Sequence, residues 1–161
     1  MSQPDLYTAG MRRLAAGVSL ITTTIGDARY GLVATAVTSV SAAPPTLLVC
    51  VNRQASIHEH ILGAGRFCVN VLSSEQADIA ARFASPADRD SRFAAGTWVS
   101  RTTGAPMLQG ACVSFDCLTS GTTVQGTHTV LFGQVQDVWL QDAVPPLTYH
   151  DGSFGTLAAF A

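Results

Sequence analysis

The run Gly31-Leu-Val-Ala-Thr-Ala-Val-Thr-Ser-Val-Ser41, then Ala-Ala-Pro-Pro, then Thr46-Leu-Leu-Val-Cys-Val-Asn52, constrains this chain more than any other stretch. It predicts two β-strands joined at a double proline. The second is a short continuous apolar run, the pattern of a strand buried on both faces. The first carries Thr35, Thr38, Ser39 and Ser41 among small residues. An edge lined with hydroxyls and short side chains lets a flat ligand lie close to the backbone and hydrogen-bond to it. The same residues also suit an ordinary half-exposed strand enriched in Thr and Ser. Pattern alone leaves both readings open.

At 161 residues the chain suits one domain, 1–161, with a core that needs no staples. Hydrophobic residues make up 47% and charged residues 12%, so apolar surface is left over for a partner and a homodimer is expected. A net charge of −2 without a Lys/Arg cluster argues against nucleic acid. No apolar run reaches membrane-spanning length, and Met1-Ser-Gln-Pro-Asp5 lacks the basic-then-apolar order of a signal peptide. A cytoplasmic protein with no membrane partner is expected. Cys50, Cys68, Cys112 and Cys117 sit in apolar runs with no Cys-x-x-Cys pair, which predicts buried free thiols. His58-Glu59-His60 falls in a short helix, where residues two apart point to different sides, so no metal site is expected.

Along the chain, Leu6, Tyr7, Met11 and Leu14 predict a leading helix over 5–16, stopped at Gly17 and packed on a barrel. Val18–Thr24 reads as a strand, with a turn at Gly26-Asp27. Ser56 is placed as the N-cap of a helix through Leu62, closed by Gly63 and Gly65, whose start could offer N–H groups to an anion or simply be capped. Phe67–Leu72 reads as a strand, and Ser73-Ser-Glu-Gln76 as a capping box for a helix through Phe83. Arg82 would either compensate that helix's C-terminus or fork onto a phosphate. Residues 84–96 form a polar loop able to act as a cover. The chain then turns β: Ala111–Leu118, a turn over Gly121–Gly126, His128–Leu140, Leu147–Tyr149 and a last piece at 152–157.

Seven or so strands and two or three short helices predict an α+β, mainly β, barrel. A dinucleotide-binding α/β unit would need Gly-x-Gly-x-x-Gly between strand and helix, whereas Gly63-Ala-Gly65 follows a helix and precedes a strand.

The order of these pieces resembles the short-chain flavin reductases, an FMN-binding split-barrel family that supplies reduced flavin to two-component monooxygenases. The resemblance spans about Met11 to Leu157. It rests on Gly31–Ser41 with Ser-x-Ser, Pro44-Pro45 leading to Cys50-Val-Asn52, Ser56, Phe67-Cys-Val-Asn70 and Ala80-Ala-Arg-Phe-Ala84. Arg92-Phe93, Trp98, Gly104–Leu108, Phe115-Asp-Cys117, His128 before Leu131-Phe-Gly-Gln-Val135, and Pro146-Leu-Thr-Tyr149 complete it. No single piece is specific; their order and spacing are.

The resemblance implies a homodimeric split β-barrel with a few short flanking helices, binding FMN or FAD near the subunit interface. It implies hydride transfer from NADH or NADPH to flavin, with reduced flavin passed to a separate monooxygenase. Thr35, Ala36, Ser39, Val40 and Ser41 would edge the isoalloxazine ring. Asn52 and Ser56 would hold the ribityl chain and phosphate, with Arg82 and Phe83. His128 would serve as the catalytic residue near the ring and the nicotinamide, and Tyr149 would close the pocket. Hydride transfer needs nicotinamide C4 aligned on flavin N5, so alignment is the protein's main task. Backbone N–H groups and hydroxyls of the Thr35–Ser41 edge would stabilise charge developing at flavin N1 and the C2 carbonyl. Where the family often carries Gly-Asp-His, this chain has Gly126-Thr127-His128, so its nicotinamide contact departs from the pattern. A flavoprotein that keeps its flavin and reduces another substrate, and a non-catalytic flavin-binding module, are the alternatives.

Overall fold

The computed structural model describes residues 2–158. Helix α1 (Gln3–Met11) leads into strands β1 (Ala16–Gly17), β2 (Ser19–Ile25), β3 (Ala28–Ala34), β4 (Val37–Ala42) and β5 (Pro45–Asn52). Helix α2 (His58–Ala64) and β6 (Arg66–Val71) follow, then a 3-10 turn (Ser74–Gln76), helix α3 (Ala77–Ala84) and a second 3-10 turn (Arg89–Ala94). Strands β7 (Trp98–Ser100), β8 (Pro106–Leu108), β9 (Val113–Gln125), β10 (His128–Leu140), β11 (Leu147–His150) and β12 (Ser153–Thr156) complete the mainly β chain.

Seven strands form one sheet in the order β3-β2-β6-β9-β10-β5-β4. Its ladders do not close it into a barrel: β3 and β4, neighbours in sequence, are its two edges. The core is double. On one face Ile21, Val49, Val51, Phe67, Val69 and Leu131 pack with Ile57 and Ile61 under α2. On the other, Val18, Leu20, Leu72 and Leu108 pack with Ile79, Ala80 and Phe83 of α3.

Strand β2, buried from Ser19 to Thr23, is therefore covered on both faces. β5 instead alternates, with Leu47, Val49 and Val51 inward and Leu48 and Cys50 half-buried, because it lies one strand from the edge and its outer face has no covering helix. Buried Asn70 ties strands together: its Oδ1 accepts from Leu108 N–H (2.8 Å) and Ser114 Oγ (2.9 Å), and its Nδ2 donates to Leu20 O (3.3 Å) and Thr22 Oγ1 (3.2 Å). Such an amide pins register because any slip orphans buried groups.

Several expected elements differ. The Gly31–Ser41 stretch is two strands, broken at Thr35-Ala36, where Val37 N–H turns back to Thr35 O (3.1 Å). Ser56 is not the N-cap of α2, which starts two residues later with Ile57 at the cap; Gly65 closes it at φ 62°. The Ser73/Gln76 box forms, with Gln76 Oε1 accepting from Ser73 N–H at 3.1 Å, and opens a 3-10 turn before α3. Gly121–Gln125 is strand rather than turn, because β10 pairs with β9 from His128 onward. Helix α1 ends at Met11 and buries no residue, so the leading helix does not contribute to the core as expected. The four cysteines are free, but only Cys68 and Cys117 are buried as expected; Cys50 and Cys112 are half-buried.

Candidate functional site

The loop between β5 and α2 separates two hollows of about 470 Å³ each. Asn52, at the end of β5, turns that loop: its Oδ1 accepts from Gln54 N–H at 2.9 Å. The next residue ties it to the β9–β10 turn, Arg53 N–H donating to Thr127 O at 2.9 Å. Asn52, Arg53, Gln54, His58, Gly126 and Thr127 line the first hollow. His128 opens β10 directly opposite Asn52 in the ladder, exposed, with its Nδ1 hydrogen-bonded to Thr127 Oγ1 at 2.9 Å. Thr127 thus holds the His128 ring.

The wall of this hollow holds a hydrogen-bonded relay centred on buried His58 that sequence reasoning missed. His58 bonds Glu59 Oε1 through Nδ1 and Thr129 Oγ1 through Nε2, both at 2.8 Å. His60 leaves the helix elsewhere and stacks on Tyr30, with centroids 3.7 Å apart. Histidine spacing signalled only that the two rings diverge; the partner Thr129 is remote in sequence.

Ser56 lies on the second hollow with Arg29, Arg89 and Arg92, of which only Arg92 stood out in the sequence.

The hydroxyl-bearing margin is open to solvent. Thr35 and Ala36 are exposed at the strand break, and Cys50 N–H donates to Ala36 O at 3.1 Å. Strand β4 carries a bulge between Ser39 and Ser41 that leaves Val40 unpaired and 48% exposed. Ser39 and Ser41 line a groove of about 310 Å³ with Thr38, Thr46 and Val135. At the other end Thr35 shares an apolar hollow of about 280 Å³ with Val33, Ala84, Tyr149 and Phe154. Tyr149, held on β11 opposite Ala16, meets Phe154 edge-on at 5.7 Å.

Two expected phosphate partners stand apart from these hollows. The Phe83 ring is core, 2% exposed, wedged against Phe93 and Trp98 at 5.1 and 5.8 Å. An aromatic ring on the inward face of α3 is consumed by packing, so it presents no surface to a ligand. Arg82 is half-buried and gives Nη1 to Ser91 Oγ at 3.3 Å, lining none of the hollows described above.

These residues fit a flavin-sized ligand in kind: open hydroxyls and backbone along an edge, apolar walls at one end and guanidiniums at another. Among the described residues no helix is long and apolar enough to cross a membrane.

Residues 11–158 match the family model described as a flavin reductase like domain. A relative from Stutzerimonas stutzeri named FMN reductase (NADH) RutF is 42% identical over 153 residues, covering 95% of this chain and 88% of that protein. BorF, the flavin reductase component of a bacterial two-component tryptophan halogenase, superposes with TM-score 0.89 at 30% identity, covering 98% of this chain and 100% of BorF. The Streptomyces globisporus NADH:FAD oxidoreductase SgcE6, in complex with NAD and FAD fragments, gives TM-score 0.90 at 27% identity, covering 97% of this chain and 93% of that one.

Proposed function

This chain belongs to the flavin reductase family, and from that membership we propose that it is an NADH-dependent flavin reductase acting on FMN or FAD. The observation that carries the reading is the hydroxyl margin, with Thr35, Thr38 and Ser39 exposed and Ser41 half-buried, which runs from the break into the strand beside the one that ends at Asn52 opposite His128. A bound flavin supplies a two-electron acceptor for the hydride of the nicotinamide.

The chain's own contribution is alignment and electrostatics. Thr35, Ala36, Ser39, Val40 and Ser41 would edge the ring, where backbone N–H groups and hydroxyls favour developing negative charge. Asn52 and Ser56 would hold the ribityl and phosphate end. Tyr149, with Phe154 and Val33, would shield one side of the ring from water. His128, fixed by Thr127, would orient the nicotinamide.

A homodimeric split barrel completes the reading. Leu6, Tyr7, Met11 and Leu14 are 47–69% exposed on and after an α1 that buries nothing, and Val124, Trp139 and Leu140 are exposed on the β9–β10 ribbon. That much open apolar surface is uncommon on a soluble monomer. Light scattering should report twice the chain mass, and a monomeric mass at micromolar concentration would refute the dimer.

Reduced flavin would pass to a separate monooxygenase, as the reductase role of BorF suggests. The test of the main reading is anaerobic NADH with excess FMN or FAD and catalytic protein. Multiple-turnover bleaching of the flavin is expected. A protein that binds flavin and leaves it oxidised under NADH would be a binding module instead.

A further inference from the structure

The small sheet β1-β11-β12 stands apart from the seven-stranded sheet and carries the two aromatic rings of the apolar hollow. Its base is fixed. Leu147, 2% exposed, donates N–H to Leu72 O at 2.8 Å and accepts from the N–H of buried Val18 at 2.9 Å. Beyond it every residue from Tyr149 to Thr156 is exposed, so core packing does not set the height of the hairpin above the hollow. The β1 ladder reaches only two residues, Ala16 opposite Tyr149 and Gly17 opposite Thr148, which is too short to hold a hairpin firmly. The tip is held by Arg12. Asp151 N–H donates to Arg12 O at 2.9 Å, and Arg12 Nε pairs with Asp151 Oδ1 at 3.4 Å. The guanidinium lies against Gly152, where an added Cβ would come within 2.9 Å of Nη2. Among the described residues ahead of β1, Arg12 alone bonds to another part of the chain.

An exposed ion pair adds little to global stability. At the free end of a hairpin hinged on a buried residue, it acts instead on a local opening whose free energy is itself small. Tyr149 and Phe154 line the hollow with Val33 and Thr35 and keep part of their ring surface open to a ligand. Resting on the flavin reductase reading, we propose that Arg12 is a positioning residue: by holding Asp151 it keeps Tyr149 and Phe154 over the flavin ring and sets how fast flavin leaves. It takes no part in hydride transfer. Because the latch covers the ring, riboflavin and FMN feel it equally.

The test is the dissociation rate constant of riboflavin and of FMN from the full chain, followed by the return of flavin fluorescence after dilution without NADH. Arg12→Gln and Asp151→Asn should each raise it about two- to fivefold for both flavins, the factor an exposed ion pair supplies. Asparagine keeps the left-handed backbone of residue 151, φ 46°. The double variant should lose no more than either single one, and Arg12→Lys should restore most of the wild-type rate. Single-turnover reduction of saturating flavin by NADH should be unchanged in all of them. Unaltered dissociation, an effect on FMN alone or additive losses in the double variant would each overturn the latch. So would a smaller bound fraction with the same rate constant, the mark of purely structural damage. Wild-type protein that releases flavin at the latched rate yet never oxidises NADH would remove the reductase reading and leave the latch standing, whereas protein that binds no flavin would remove both.

Discussion

Gly31 offers a sharp test of how the site is braced, because it has packing on one side and the arginine hollow on the other. A Cβ added there would sit 2.5 Å from Phe83 Cε1, 3.1 Å from Cδ1 and 3.3 Å from Thr22 Cγ2. Carbon atoms rest at about 3.5–4 Å, so the ring must retreat by about 1 Å. It has nowhere easy to go, since Phe93 and Trp98 close it in at 5.1 and 5.8 Å. Overpacking of this kind costs about 1–3 kcal/mol. For a chain of this size Gly31→Ala should lower Tm by about 2–10 °C. The Gly31 carbonyl also accepts from Arg92, so a displaced β3 should loosen the turn that carries Arg89. The assay is a urea titration at fixed protein concentration, followed by tryptophan fluorescence. Phe83→Leu makes it specific: the cost of Gly31→Ala in that background should fall by about 1 kcal/mol or more. Additive costs, or a Gly31→Ala protein within about 1 °C of wild type, would refute the wedge.

Other consequences are open to direct measurement. Burial, then the Asp116 carboxylate, push the Cys117 thiol up to about 12 from an ordinary 9.0. The folded chain therefore keeps that proton longer than the unfolded one. Its contribution is complete below pH about 9 and is lost as pH rises toward about 12, by at most about 1.4 kcal/mol per pH unit. Urea midpoints should fall over this range, and Cys117→Ala should flatten the slope; an unaltered slope would clear Cys117. Thr129→Val leaves buried His58 Nε2 without its partner and should cost about 1–3 kcal/mol, with Thr129→Ser restoring most of it. A valine variant as stable as wild type would show that the relay contributes nothing. His128→Ala should slow flavin reduction by NADH more than it weakens flavin binding; equal losses would take His128 away from the nicotinamide.

What could be read from the sequence, and what could not, follows from the range of the forces involved. The bounds of β10, His128 to Leu140, were legible because valine, leucine and aromatic residues run through it and a glycine turn precedes it. The strand identity of Gly121–Gln125 was not: small polar residues look like a loop until a long partner strand supplies the ladder. The break at Thr35-Ala36 was equally hidden, since neither residue carries a turn preference and the bend is set by β4 joining β5 at the far edge. Gly65 was legible as a helix stop because a left-handed residue favours glycine whatever surrounds it.

The same contrast explains the site. Hydroxyls along one short strand announce themselves locally, so Thr35, Ser39 and Ser41 could be singled out before any fold was known. Arginine recognition of an anion depends on several guanidiniums meeting, and meeting is a tertiary event. Arg82 drew attention for its place at a helix end, yet its side chain goes to Ser91. Arg29 and Arg89 read as ordinary surface charges from distant parts of the chain. Only the fold of the 89–94 turn across β3, with Arg92 bonded to the Gly31 carbonyl, puts them on one hollow. Straining that bracket with Gly31→Ala should then loosen the 89–94 turn and speed amide hydrogen exchange there; unchanged exchange would show that the turn stands without it.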